Sequence, residues 1–273
     1  MQIRESDRAM LVDLLAVTRQ LAIEPCLIGA MALHLGATRW LARPLLRTTL
    51  DWDFAVAVDG WHPFEALASR LGAVAGFSRT AAPHRFRHRT GGTIDLVPFG
   101  SIARPDDTIA WSDGTVMSIV GFSALRSSRE VMDLGGGLSM WVATLPVLAG
   151  LKLIAYGDRR PAVLRDIRDQ HHLARWYPWQ DPGGTVSAEA ERALLTGISG
   201  FDQLGAFCLG CAIGRAFDPD ALRCMRALLG DVADPFGDLV EDVVRERSGP
   251  IEDEERAAVA ARFMALLAGI EAL

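Results

Sequence analysis

Residues 47–56, RTTLDWDFAV, read as a β-strand in which apolar side chains alternate with two aspartates. In a strand, side chains at i and i+2 share a face, so Asp51 and Asp53 stand side by side while Trp52 and Phe54 turn the other way. Two adjacent carboxylates repel, and burying the pair is costly unless a cation lies between them. Ligands that are all oxygen select hard ions such as Mg²⁺ or Mn²⁺. A solvated pair at a strand edge is the plain alternative, and two aspartates alone do not decide between the readings.

A second strand shifts the balance. In GGTIDLVPFG, residues 91–100, Asp95 lies between Ile94 and Leu96 and so projects away from its apolar neighbours. If this strand lies beside the first, three carboxylates converge, as a phosphoryl-transfer site with two cations about 4 Å apart requires. Asp95, the acid outside the pair, is then the natural general base.

Around these strands the first half of the chain mixes short elements. Helical spacing runs over residues 6–22, resumes at MALHLGA and again at WHPFEALASRLGA. PCLIGA reads as a short strand entering a turn, HRFRHRT as a strand joined to TIDLVPF by a turn at Gly91-Gly92, and EVMDLGGGLSMWVA as a hairpin. Residues 100–127 carry turn signals and read as irregular. From residue 144 the pattern becomes helical, over 144–156, 161–177, 187–197, 203–216, 219–229, 234–246 and 252–271.

The composition sets outer bounds. A chain of 273 residues that is 50% hydrophobic and 23% charged buries proper cores and lacks the signature of disorder. No apolar run approaches the about 20 residues needed to span a bilayer, and MQIRESDRAM is not ordered as a signal peptide, so a cytoplasmic protein is expected. A net charge of −6 argues against a wholesale nucleic-acid coat, although Arg85, Arg87 and Arg89 share one face of their strand. Of the four cysteines, Cys208 and Cys211 form a CLGC that no second Cys/His pair completes, so they read as small buried side chains. Lys152 is the sole lysine; every other basic residue is arginine.

These residues carry a family resemblance. LIGAMALHLGATRWLARPLLRTTLDWDFAV, residues 27–56, resembles the opening of the polymerase-β-type nucleotidyltransferases, where a small-residue turn precedes a helix and a strand bearing D-x-D follows. Arg47, Thr49, Asp51 and Asp53, in the order R-x-T-x-D-x-D, resemble the AbiEii/AbiGii toxin group of that superfamily, and TIDLVPFG and LKLIAYGDRRPAVLRDIRD are similar to its later motifs. The resemblance spans roughly residues 25–178.

It implies an α+β fold, with a polymerase-β-type nucleotidyltransferase mixed sheet and helices over 1–142 and a C-terminal helical bundle lobe over 143–273. It also implies an NTP substrate and Mg²⁺ or Mn²⁺ held by Asp51, Asp53 and Asp95. Gly29 and Ala30 would meet the phosphates through backbone N–H groups at a helix start. The superfamily usually has Ser where this chain has Ala30, so a hydroxyl contact is missing. Lys152 would reach the triphosphate and with Arg47 neutralise phosphate charge, Thr49 would belong to the nucleotide site, and Asp166 would orient the lysine or the nucleotide. The implied acceptor is a hydroxyl, that of a tRNA 3′ end if the chain is a toxin restrained by a cognate antitoxin protein. Transfer to a small hydroxylated molecule or a protein side chain stays open, as does a non-catalytic nucleotide or partner binder. Trp52, beside the carboxylates, is a candidate to flank a base.

Overall fold

Alternating apolar residues build one part of the molecule and helically spaced ones the other. The computed structural model describes residues 3–41, 51–181, 183–230, 232–245 and 252–272; Arg47 and Thr49 lie outside the described residues. The chain divides into two compact units, Met1–Thr144 and Leu145–Leu273.

The first unit opens with helix α1 (Glu5–Gln20), whose Glu5 and Asp7 in the first turn and Arg19 in the last match the helix dipole. There follow β1 (Cys26–Ile28), α2 (Gly29–Trp40), β2 (Trp52–Ala57), α3 (Trp61–Val74), β3 (Phe77–Arg79), β4 (Arg85–His88) and β5 (Thr93–Phe99). After β6 (Thr108–Ala110) and β7 (Val116–Ser118), β8 (Arg129–Asp133) and β9 (Ser139–Ala143) complete the unit. Seven strands form one sheet in the order β3-β4-β5-β2-β1-β9-β8, and β6 with β7 forms a separate hairpin. The pairs β2–β5 and β1–β9 are parallel and the rest antiparallel, so the sheet is mixed.

The alternation holds along β2 and β5. Trp52, Phe54, Ile94 and Leu96 are buried, and α2 packs on β2. Each large apolar side chain so covered contributes about 1.5–3 kcal/mol. Trp52 therefore belongs to the core on the face opposite the aspartates and does not flank a bound base.

Two further expectations are corrected and one strand is added. The stretch read as irregular contains the β6–β7 hairpin, and Phe77–Arg79 adds an edge strand; strands of three residues are too short to show a period. The turn joining β4 to β5 is not centred on Gly91-Gly92. The Gly91 N–H donates to the His88 carbonyl at 2.9 Å and the His88 N–H to the Gly92 carbonyl at 2.8 Å, with Gly91 at φ +90°. That is a three-residue loop closed by a left-handed glycine.

The second unit is helical: α4 (Leu145–Arg159), α5 (Arg165–Trp176), α6 (Ala188–Leu195), α7 (Phe201–Ala216), α8 (Pro219–Leu228), α9 (Asp238–Val244) and α10 (Asp253–Glu271). Ser187 and Asp218 cap α6 and α8, accepting from the N–H groups of Ala190 and Ala221, and Pro219 takes the first turn of α8. Helix α9 starts at Asp238 rather than 234, because Pro235 and Gly237 delay it. Helices α7 and α10 cross where Gly210 meets Gly269; a β-carbon on Gly210 would lie 2.9 Å from the Gly269 Cα. The α+β class, a mixed sheet with helices followed by a helical bundle, is the one the sequence implied. Among the described residues no helix is long and apolar enough to cross a membrane.

Candidate active site

Parallel pairing of β2 with β5 sets Trp52 opposite Ile94, Asp53 opposite Asp95 and Phe54 opposite Leu96. Since the apolar partners are buried on one face, the two aspartates share the other. Asp51 immediately precedes β2 with its side chain about half exposed, and the Thr93 hydroxyl donates to it at 3.3 Å. Three carboxylates thus gather at the N-terminal ends of two neighbouring strands.

The chain also brings a helix start to this point. Strand β1 runs antiparallel to β2 with Ile28 opposite Asp53, and the next residue, Gly29, turns the chain into α2 at φ +71°. A β-carbon at Gly29 would lie 2.8 Å from Asp53 Cγ and closer still to Oδ2. Both the dihedral and the contact demand glycine. No side chain caps α2, so the donors of its first turn rely on the backbone, water or a ligand. Ala30 follows as the second residue of the helix.

Arg85, read from the sequence only as part of a basic strand face, belongs to the carboxylate site. Strand β4 pairs antiparallel with β5, Arg85 opposite Asp95, and the guanidinium forks onto the carboxylate: Nε donates to Oδ1 at 2.7 Å and Nη2 to Oδ2 at 2.8 Å. Nη2 also lies 4.0 Å from Asp51 Oδ2. The hydrogen bond to Asp95 raises the Arg85 pKa above its ordinary value; partial burial opposes this, and the charges of Asp95, Asp51 and Asp53 add to it. The basic strand face is divided accordingly. Arg85 serves the carboxylates, Arg87 is exposed, and Arg89 pairs with Asp13 at 2.7 Å. The locating signal was the loop length, which with the buried pairing of Phe86 and Ile94 fixes the register of β4 against β5.

The donor set is all oxygen, as a hard divalent ion requires, and Asp51 and Asp53 fit that role by chemistry. Asp95 does not fit while both of its oxygens accept from Arg85. Among the described residues no group of three His, Cys, Asp or Glu side chains is arranged to hold a metal ion.

In the helical unit, Lys152 on α4 is buried, with its ammonium 2.8 Å from Asp166 Oδ1 and 2.8 Å from Asp169 Oδ2 on α5. Arg159 adds an ion pair to Asp166 at 2.6 Å. The two carboxylates are one helical turn apart at i and i+3, which is why a single ammonium reaches both. This ionic cluster accounts for a charged side chain within the apolar run of α4. Cys208 and Cys211 are buried on α7.

No family model matches the chain, and neither does any curated protein. Among solved structures, the antibiotic-resistance factor ANT(2'')-Ia is similar at 12% identity and a TM-score of 0.36, over 61% of this chain and 82% of that one. An antigenic nucleotidyltransferase-like protein from Paracoccidioides brasiliensis is similar at 16% identity and a TM-score of 0.39, over 64% and 79%. A protein from H. pylori described as a candidate nucleotidyltransferase spans 97% of this chain and 96% of its own, at 15% identity and a TM-score of 0.34. At this distance the chemistry of the site rests on its own residues.

Proposed function

We propose that this chain is a metal-dependent nucleotidyltransferase that moves an NMP group from an NTP to an acceptor hydroxyl. One observation carries the reading: Asp53 and Asp95 face each other on parallel strands, with Asp51 beside them and the uncapped start of α2 against Asp53. Asp51 and Asp53, joined by Asp95, would hold Mg²⁺ or Mn²⁺, which when bound supplies charge stabilisation for the triphosphate. Asp95 accepts the proton of the acceptor hydroxyl; the acceptor's oxygen bonds to the α-phosphorus, the bond to the bridging oxygen breaks, and pyrophosphate leaves. Backbone N–H groups at Gly29 and Ala30 are suited to phosphate oxygens. Lys152 enters through the family resemblance, its ammonium held by Asp166 and Asp169. Arg47 and Thr49 enter through the family resemblance alone.

The acceptor favoured by the AbiEii/AbiGii resemblance is a tRNA 3′ end, with a cognate antitoxin protein restraining the enzyme. The exposed Arg87, beside the carboxylates on β4, suits an approaching phosphate backbone. A second reading, nucleotide binding without turnover, is favoured by the engagement of both Asp95 oxygens and by Ala30 in place of a serine. Incubation of the purified protein with Mg²⁺, each labelled NTP and bulk tRNA separates the readings. Label on tRNA supports the first, label on another acceptor moves the substrate class, and nucleotide binding with no transferred label favours the second.

A further inference from the structure

The three carboxylates already possess a cation. Arg85 stands on the strand next to Asp95, uses both of that residue's oxygens, and brings one terminal nitrogen to 4.0 Å from Asp51. We propose that Arg85 is a tethered competitor of the divalent ion, closing the carboxylate site to metal for as long as its guanidinium holds Asp95. The inference rests on the reading that these acids take a metal.

Three physical points support it. A forked guanidinium on a carboxylate is a strong, directional pair; it takes one lone pair on each oxygen and leaves a metal only the outward ones, beside a like charge. Mg²⁺ sheds water reluctantly and demands near-octahedral oxygen ligation, so with Asp95 engaged the remaining pair, Asp51 and Asp53, makes a weak site, further weakened by a like charge beside it. Finally, the Arg85 side chain is 40% exposed against 13% for Asp95, so the guanidinium has a route to water that leaves the carboxylate in place. Metal binding and withdrawal of Arg85 from Asp95 are therefore one coupled step.

Mn²⁺ binding by the full chain without nucleotide, followed by the electron paramagnetic resonance of the free ion, tests this apart from activity. Wild type should bind weakly. Arg85→Gln should bind about tenfold tighter or more, within the ~5–150-fold range usual for two coupled ligands. The double variant Arg85→Gln/Asp95→Asn should lose that gain, because it runs through Asp95. Wild type binding as tightly as Arg85→Gln overturns the competition and leaves the metal reading standing. A double variant as tight as the single one also overturns it. If neither wild type nor Arg85→Gln binds Mn²⁺, the metal reading and this inference fall together.

Discussion

Gly29 lies against Asp53 so closely that a β-carbon at position 29 would come within 2.8 Å of the Asp53 carboxyl carbon. Alanine there would also have to hold φ +71°, which costs an L-residue roughly 1–2 kcal/mol. Gly29→Ala is expected to lower the melting temperature by a few degrees and to cut nucleotidyl transfer at least about 100-fold by displacing Asp53. Thermal unfolding and label transfer measure the two effects. Full transfer by this variant would show that the contact does not position Asp53.

Asp95→Asn removes the proton acceptor and keeps the shape of the side chain. Transfer should fall about 10²–10⁴-fold, the usual contribution of a general base, with the circular dichroism spectrum unchanged. Single-turnover transfer resolves the step. If the Asp95→Asn variant is as fast as wild type, the base lies elsewhere.

Lys152→Met removes the ammonium shared by the buried Asp166 and Asp169, while Arg159 still pairs with Asp166. Breaking a buried ionic cluster from one side costs about 3–5 kcal/mol. Urea unfolding should show that loss, and adding Asp166→Asn should recover part of it. If Lys152→Met is as stable as wild type, the cluster does not hold α4 to α5.

The thiols give a test of packing. Burial pushes the Cys26 thiol up to about 12 and raises Cys208 and Cys211 as well, whereas Cys224 is exposed. A raised pKa leaves little thiolate at pH 8, and burial also bars the reagent. Iodoacetamide at pH 8 should modify Cys224 alone in the native protein and all four cysteines after unfolding, as read by mass spectrometry. Native labelling of Cys208 or Cys211 would contradict the packing of α7.

Much of the fold was legible because it is written in local periods. Trp52 and Phe54 alternate with Asp51 and Asp53, Ile94 and Leu96 flank Asp95, and the helices of the second unit carry apolar spacing throughout. Arg85 was not legible, for a reason of register. A turn centred on Gly91-Gly92 would set His88 opposite Asp95, and the three-residue loop slides the strand so that Arg85 takes that place. Register depends on loop geometry together with each strand's pattern: alternation puts Phe86 and Ile94 on one face, and the loop length selects which residues pair. The partners of Lys152 follow the same logic, since Asp166 and Asp169 are marked by their i, i+3 spacing but the packing of α5 on α4 selects them.

The sheet order has a bearing on how the chain can be cut. Strand β1, only three residues long, is flanked on one side by β2 and on the other by β9, which arrives more than a hundred residues later. A fragment ending before Ser139 would bare the outer hydrogen-bonding edge of β1, a ready template for intermolecular pairing. Expression boundaries drawn inside the first unit should therefore yield insoluble material even where every carboxylate is retained.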